Sequence, residues 1–95
     1  MRFQSSRYMT RGVSTQIPIA TQLKIWGLIE KIPVPADYLQ IFRLEGSDGV
    51  QRITHEQEEP VYRNEISFPC DNPVNAKIYV IDDETHCTML LAEEY

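Results

Sequence analysis

Acidic and imidazole side chains come closest together in the last stretch of the chain, residues 74–95. Three consecutive carboxylates, Asp82, Asp83 and Glu84, precede His86, and these groups offer the oxygen and nitrogen ligands that divalent cations take. Neighbouring side chains of an extended segment point apart, and the segment lacks the ligand alternation and central glycine of an EF-hand loop. Because acidic residues favour turns, we expect a solvated turn here, with weak metal binding by Asp82, Asp83 and His86 as the alternative.

The two cysteines and two histidines are the other residues with reactive side chains. His55, Cys70, His86 and Cys87 are the types found in zinc sites and in nucleophile–base pairs. Their spacing does not match a zinc motif, and the adjacent His86 and Cys87 point to opposite faces of a strand. Nothing in the spacing supports a pair of Cys70 with His55, and the four glycines form no phosphate-binding loop. We predict no catalytic residue, cofactor site or metal site, and a buried Cys87.

Charge is distributed unevenly along the chain, whose net charge is −5. Residues 1–29 hold Arg2, Arg7, Arg11 and Lys24 and no acidic residue, whereas all 14 acidic residues lie in the remainder. Four dispersed positive charges are too few for a nucleic-acid-binding patch. We therefore expect the basic segment to lie across the chain's own acidic part, with a nucleic-acid-binding arm as the alternative. The acidic remainder suits basic protein partners.

Length and composition indicate a small soluble protein. The 95 residues predict a single domain over residues 1–95 without a linker. No apolar run approaches the ~20 residues of a membrane helix, and the N-terminus has no apolar signal-peptide core. Two cysteines fit a reducing compartment. We predict a cytoplasmic location and no membrane partner.

The main helix is predicted at about residues 18–32. Pro18 suits the first helical position, and Pro33 and Pro35 end the helix. Its apolar residues cover an arc of about 220° at helical periodicity, wider than the stripe of an ordinary surface helix. Either a curved sheet cradles this helix or a second subunit shares it. The residues of this apolar arc are Ile19, Leu23, Ile25, Trp26, Leu28, Ile29 and Ile32.

Alternation and turn residues predict the strands. The candidates are residues 7–10, 38–45, 50–57 and 61–68, and two strands within 76–91. An Asp48-Gly49 turn would place Leu44 opposite Ile53 and Glu45 opposite Arg52.

A four-residue loop over residues 82–85 would pair Ala76 with Leu91, Ile78 with Met89 and Val80 with Cys87. The predicted fold is α+β, with one main helix packed on a curved, roll-like antiparallel sheet of five or six strands.

Three further features bear on surfaces. We interpret the acidic run of Glu56, Glu58 and Glu59 as charges that protect an edge strand from stray pairing, with a charged partner surface as the alternative. Trp26 is placed in the core by its position on the apolar arc, and Tyr95 is the candidate exposed aromatic residue.

The chain also resembles a known family. The segments RYMTRGV, IPIATQLKIW and DYLQIF and the ending VNAKIYVIDDETHCTMLLAEEY resemble short proteins of Gram-positive bacteria and their mobile elements, the domain of unknown function nine hundred and sixty. The resemblance covers nearly all residues. It implies a stand-alone cytoplasmic α+β domain and no assigned activity, cofactor or catalytic residue.

These observations favour a non-enzymatic protein that self-associates or binds a basic protein surface. The second hypothesis is a small enzyme or ligand-binding roll with a pocket between sheet and helix, lined by His55 or His86 and a carboxylate. The third is a metal-responsive regulator that acts through the hairpin tip.

Overall fold

Six strands form one open sheet in the computed structural model, which describes residues 2–95. The sheet order is β1-β6-β5-β2-β3-β4, and only the β1–β6 pair is parallel. The α+β class, the main helix and the six-stranded, mostly antiparallel sheet confirm the prediction, and the sheet is not closed into a barrel. In chain order the elements are β1 (Ser6–Met9), α1 (Arg11–Gln16), α2 (Ile19–Ile29), β2 (Leu39–Ser47), β3 (Val50–Gln57), β4 (Tyr62–Pro69), β5 (Ala76–Asp82), β6 (His86–Leu91) and a 3₁₀ turn (Ala92–Glu94).

The β2–β3 hairpin has the predicted turn. Asp48 and Gly49 have positive φ angles of 47° and 75°, the conformation that suits a tight two-residue hairpin turn. Leu44 faces Ile53 and Glu45 faces Arg52. The predicted register is therefore confirmed.

The last hairpin is paired two residues away from the predicted register. Ile78 faces Leu91 and Val80 faces Met89, so the apolar side chains keep their face but change partners. The predicted four-residue loop is wrong, because Asp83 N donates to the carbonyl oxygen of His86 at 3.1 Å and shortens the turn.

The beginning of the chain departs most from the prediction. The first strand covers residues 6–9, not 7–10, and the helix α1 that follows it was not predicted. Thr10 caps this helix by accepting a hydrogen bond from Val13 N at 3.4 Å, a capping role that threonine often takes. Gly12 lies within the first turn of α1.

The main helix is shorter than predicted, and the face that it turns toward the sheet is not centred on the predicted apolar arc. It ends at Ile29 because the next turn tightens, with Lys31 N donating to the carbonyl oxygen of Leu28 at 3.1 Å. Ile25, Trp26, Leu28 and Ile29 are buried, which confirms the core position of Trp26. They pack on one face of the sheet around Phe42, Ile53, Ile78, Val80, Cys87 and Met89.

Two residues predicted for the buried arc of α2, Ile19 and Leu23, are 74% and 65% exposed. Val13 and Ile17 fill the core beside the start of the helix. Gln22 is buried instead, where its side-chain amide donates to the carbonyl oxygen of Ile17 at 2.8 Å. The arc is therefore cradled by the sheet over only part of its width.

Candidate interaction surface

The hairpin tip is organised by Asp83. Its Oδ1 accepts from the backbone N–H groups of Thr85 and His86 at 3.1 and 2.9 Å, and its Oδ2 lies 3.0 Å from His86 Nε2. The hydrogen bond from the His86 backbone holds the pKa of the Asp83 carboxyl below its usual value. The Asp83 carboxylate accepts these hydrogen bonds within the turn itself. Its role in holding the turn explains why a carboxylate stands here, and no bound ligand is needed for that explanation.

Asp82 does not belong to the solvated tip, contrary to prediction. It is buried, and its carboxylate accepts from Phe3 N at 3.3 Å and from Glu84 N at 3.0 Å. Arg2 lies 3.5 Å from the same carboxylate. The three acidic residues therefore point in different directions. Across residues 2–95, no three His, Cys, Asp or Glu side chains are arranged to hold a metal ion.

His55 is buried on the covered face of the sheet. Its ring stacks on Phe42 at 4.3 Å and meets the edge of Tyr62 at 5.4 Å between ring centroids. Its Nε2 donates to Gln40 Oε1 at 2.7 Å. The amide nitrogen of Gln40 donates to Gln57 Oε1, so the Gln40 atom that faces His55 is the accepting oxygen. Burial lowers the pKa of His55 from 6.5 to about 4. The residue is thus a neutral core side chain rather than part of a pocket.

The two cysteine thiols contact groups other than the histidine rings. Cys87 is fully buried, as predicted, with its Sγ 3.6 Å from Ser5 Oγ. Cys70 follows the end of β4, whereas His55 faces Asn64 six residues earlier on that strand, a separation of about 20 Å along a strand. The structure brings no cysteine together with a histidine base.

Two of the four basic residues of the N-terminal segment, Arg2 and Arg7, contact the chain's own acidic groups, which confirms that prediction in part. Arg7 is 3.1 Å from Glu30, and its guanidinium lies 4.7 Å from the ring centroid of Trp26. Arg2 reaches Asp82, as described above. A pocket of about 160 Å³ opens between this segment and the end of α2, but both arginines that border it already face a carboxylate. It is not the predicted pocket between sheet and helix.

The acidic run beside β3 is not on an edge strand, so that interpretation is wrong for Glu56. Strand β4 pairs along the outside of β3, and Glu56 contacts Arg43 at 2.7 Å on the open face of the sheet. Glu58 and Glu59 are exposed in the turn that follows. Tyr95 is exposed, as predicted, and meets Tyr79 edge to face at 5.4 Å.

The true edge on this side of the molecule is β4, which has no partner strand on its outer side among residues 2–95. Its side chains alternate between half-buried and exposed along its whole length. A groove separates this strand from α2, lined by Leu23, Lys24, Gly27, Leu28, Lys31, Ile66, Ser67 and Phe68.

Two exposed apolar residues of α2 border that groove and its extension. Leu23 lines the groove beside Ile66 and Phe68, and Ile19 lies one turn earlier, beside Pro73 and Val74. The ammonium group of Lys24 lies 5.2 Å from the ring centroid of Phe68. We call the surface formed by Ile19, Leu23, Ile66, Phe68 and the outer side of β4 the α2–β4 margin. Sequence periodicity identified Ile19 and Leu23 as apolar, but not their exposure.

No helix in the described part of the chain is long and apolar enough to cross a membrane. The electrostatics of the α2–β4 margin are mixed, since Lys24 and Lys31 flank the groove while Arg63 and Glu65 are exposed along the strand. This surface therefore combines apolar side chains, charges of both signs and main-chain groups of a strand edge.

Comparison with known proteins agrees with this fold. A family model described as "Staphylococcal protein of unknown function (DUF960)" matches residues 6–94. A crystal structure titled as the protein of unknown function from Enterococcus faecalis is similar over 100% of this chain and 96% of the other, with 25% sequence identity and a TM-score of 0.81. No curated protein matches this chain.

Proposed function

The chain belongs to the DUF960 family, and we propose that it is a non-enzymatic domain that self-associates through the α2–β4 margin. The observation that carries this proposal is the exposure of Ile19 and Leu23, 74% and 65%, beside a strand edge that pairs with no other strand of the described residues. Contiguous exposed apolar surface of this kind marks interaction sites in soluble proteins. An open strand edge adds outward-facing main-chain donors and acceptors at the same place.

A second copy of this chain fits the margin better than a basic protein does. Lys24, Lys31 and Arg63 give the margin several positive charges, which oppose a basic partner. The exposed charges of β4, in contrast, include both signs on one strand. A surface with both signs can complement itself across a two-fold axis, as the isologous interface of a symmetric dimer requires.

The affinity expected from this margin is modest. One strand edge and a short apolar stripe form a surface at the small end of specific interfaces, where associations are weak and transient. We therefore expect a monomer–dimer equilibrium in the micromolar range or weaker.

Sedimentation equilibrium of the full chain, from micromolar to millimolar concentration, tests the proposal. A reducing agent must be present, because Cys70 is only half-buried and could form a disulfide between copies. We expect the average mass to rise from that of the monomer toward that of a dimer. A constant monomer mass across the whole range would contradict self-association.

A further inference from the structure

The orientation of the main chain in β4 follows from one hydrogen bond at its end. Cys70 N donates to the carbonyl oxygen of Gly49 at 2.8 Å, which makes residues 49 and 70 a hydrogen-bonded pair. Hydrogen-bonded and non-hydrogen-bonded pairs alternate along an antiparallel ladder. The main-chain groups of Tyr62, Asn64, Ile66 and Phe68 therefore point toward β3, and those of the alternate residues point away from the sheet.

Two other features agree with this alternation. Pro69, which has no N–H, falls on an outward-facing position, where the β3–β4 ladder loses nothing. Glu65, also outward-facing, donates its backbone N–H to the side-chain oxygen of Asn64 at 2.9 Å. A side chain thus fills the place that a neighbouring strand would take, and the outward groups for a new ladder are those of Arg63, Glu65 and Ser67.

Few antiparallel registers bring the outward groups of two β4 strands together, and they differ by steps of two residues. One register places Arg63 opposite Arg63, and another places Glu65 opposite Glu65. Like charges directly opposite each other destabilise a sheet. Two further registers place Pro69 opposite Arg63 or opposite Glu65, and each loses a donor. The remaining register, centred on Asn64, places Arg63 of each copy opposite Glu65 of the other.

The same register also matches apolar side chains on the helix-covered face. Tyr62 of one strand lies opposite Ile66 of the other, and both are half-buried in the single chain. Because the two-fold axis is perpendicular to the sheet, both α2 helices stay on the same side of the doubled sheet. Leu23 of each copy then borders the joined strands through its groove with Ile66 and Phe68.

We infer that two copies of this chain join β4 to β4 in antiparallel register, centred on Asn64, to form one continuous twelve-stranded sheet. The inference rests on the proposed self-association and adds the partner strand and its register. Two Arg63–Glu65 pairs between the copies select this register over its neighbours. Cross-strand pairs of opposite charge stabilise and like pairs destabilise by similar amounts, so the dimer depends on the sign of both residues.

Charge inversion tests the register. Arg63→Glu and Glu65→Arg each replace two attractive pairs by two repulsive ones, and each is expected to weaken the dimer on the order of tenfold to a hundredfold. The double variant Arg63→Glu/Glu65→Arg restores opposite charges and should dimerise like the wild type. An equimolar mixture of the two single variants should form a mixed dimer that is tighter than either homodimer.

Urea unfolding of each variant controls for damage to the fold, since Glu65 also lies 3.7 Å from Arg52 and 3.6 Å from Arg63 of its own chain. If the wild type dimerises and both single variants dimerise equally well, the register is wrong while self-association stands. A double variant that fails to recover also contradicts the register. A wild type that stays monomeric at all concentrations removes both proposals.

Discussion

The sheet ends in two very different edges. Strand β1 is four residues long, runs parallel to β6 and is followed at once by α1. Strand β4 is eight residues long, runs antiparallel to β3 and has nothing across its outer side among residues 2–95. Short edges and covering elements are common ways in which proteins prevent stray strand pairing. The short length applies to β1, whereas β4 carries exposed charges and Pro69 along its length.

The β1 edge is also tied down by polar contacts. The Glu94 carboxylate accepts from Thr10 Oγ1 at 2.5 Å, from Gly12 N at 3.1 Å and from Leu91 N at 2.9 Å. A Cβ at Gly12 would lie within 2.6–2.7 Å of that carboxylate, so the glycine permits the close approach. The two edges therefore differ in length and in anchoring: β1 is short and held through Glu94, whereas β4 is long and presents its outward main-chain groups beside exposed charges.

The largest expected effect is a loss of folding stability in acid, caused by His55 on the β4 side of the molecule. His55 lies beside β4, and its pKa of about 4 is below the ordinary 6.5. Between these values the unfolded chain binds a proton that the folded chain does not. Stability is therefore full above about pH 6.5 and falls by about 3 kcal/mol as the pH drops to about 4. Urea unfolding from pH 7.5 to 4 measures this loss.

Two variants control for that assignment. His55→Gln should flatten the pH dependence between 6.5 and 4, whereas His86→Gln, which changes the half-buried histidine at the hairpin tip, should retain it. A wild-type stability that does not change over this interval would contradict the neutral, buried state of His55.

Proline substitutions should show which main-chain groups of β4 face outward. Glu65→Pro removes an outward N–H and a charge from each copy, and should weaken the dimer by about 2 kcal/mol, roughly thirtyfold, while the monomer stays folded. Asn64→Pro removes an inward N–H and should destabilise the monomer itself by about 1–3 kcal/mol. Sedimentation and urea unfolding measure the two effects. The reverse pattern would show that the assigned alternation is wrong.

The apolar stripe should contribute to association but not to folding. Leu23→Ser is expected to weaken the dimer by about 1 kcal/mol, or roughly fivefold, with an unchanged unfolding free energy, because the side chain is largely exposed in the single chain. Met9→Ser, at an exposed position of the β1 edge, is the matched control and should leave association unchanged. If both variants weakened the dimer equally, the β4 side would not be the specific site of association.

The smallest effect is expected at the anchor of the β1 edge. The hydrogen bond from Thr10 holds the pKa of Glu94 below its ordinary 4.5, so its stabilisation is present above that pH and is lost only as the pH falls through the lowered value. At pH 7, Glu94→Gln should speed amide hydrogen exchange at Gly12 and Leu91 and leave β4 and the dimer unaffected. Faster exchange in β4 would contradict a local role.

Local signals in the sequence predicted much of this architecture. Asp48-Gly49 specified the β2–β3 register, because a two-residue turn determines which residues of the adjoining strands lie opposite each other. The last hairpin kept its faces but shifted by two residues, since periodicity specifies the face and not the partner. The Asp83 contacts that shorten its turn are side-chain details that alternation does not encode.

The candidate surface could be predicted only in part. The wide apolar arc of α2 left open whether a curved sheet or a second subunit covers it, and in the structure Ile19 and Leu23 of this arc are exposed. Which part stays open depended on Val13 of the unpredicted helix α1 and on Ile17 directly after it, both of which fill the core. The interpretation of Glu56 as an edge residue failed because pairing on its outer side is a non-local property.

Disulfide cross-linking at residue 64 tests β4 pairing most directly. In the inferred register the two Asn64 residues form a non-hydrogen-bonded pair with Cα atoms about 4.5 Å apart, within the range of a disulfide. In a Cys70→Ser background, Asn64→Cys should form a covalent dimer under mild oxidation, whereas Tyr8→Cys on the β1 edge should not. Failure of Asn64→Cys to cross-link, or equally fast cross-linking at Tyr8, would contradict pairing through β4.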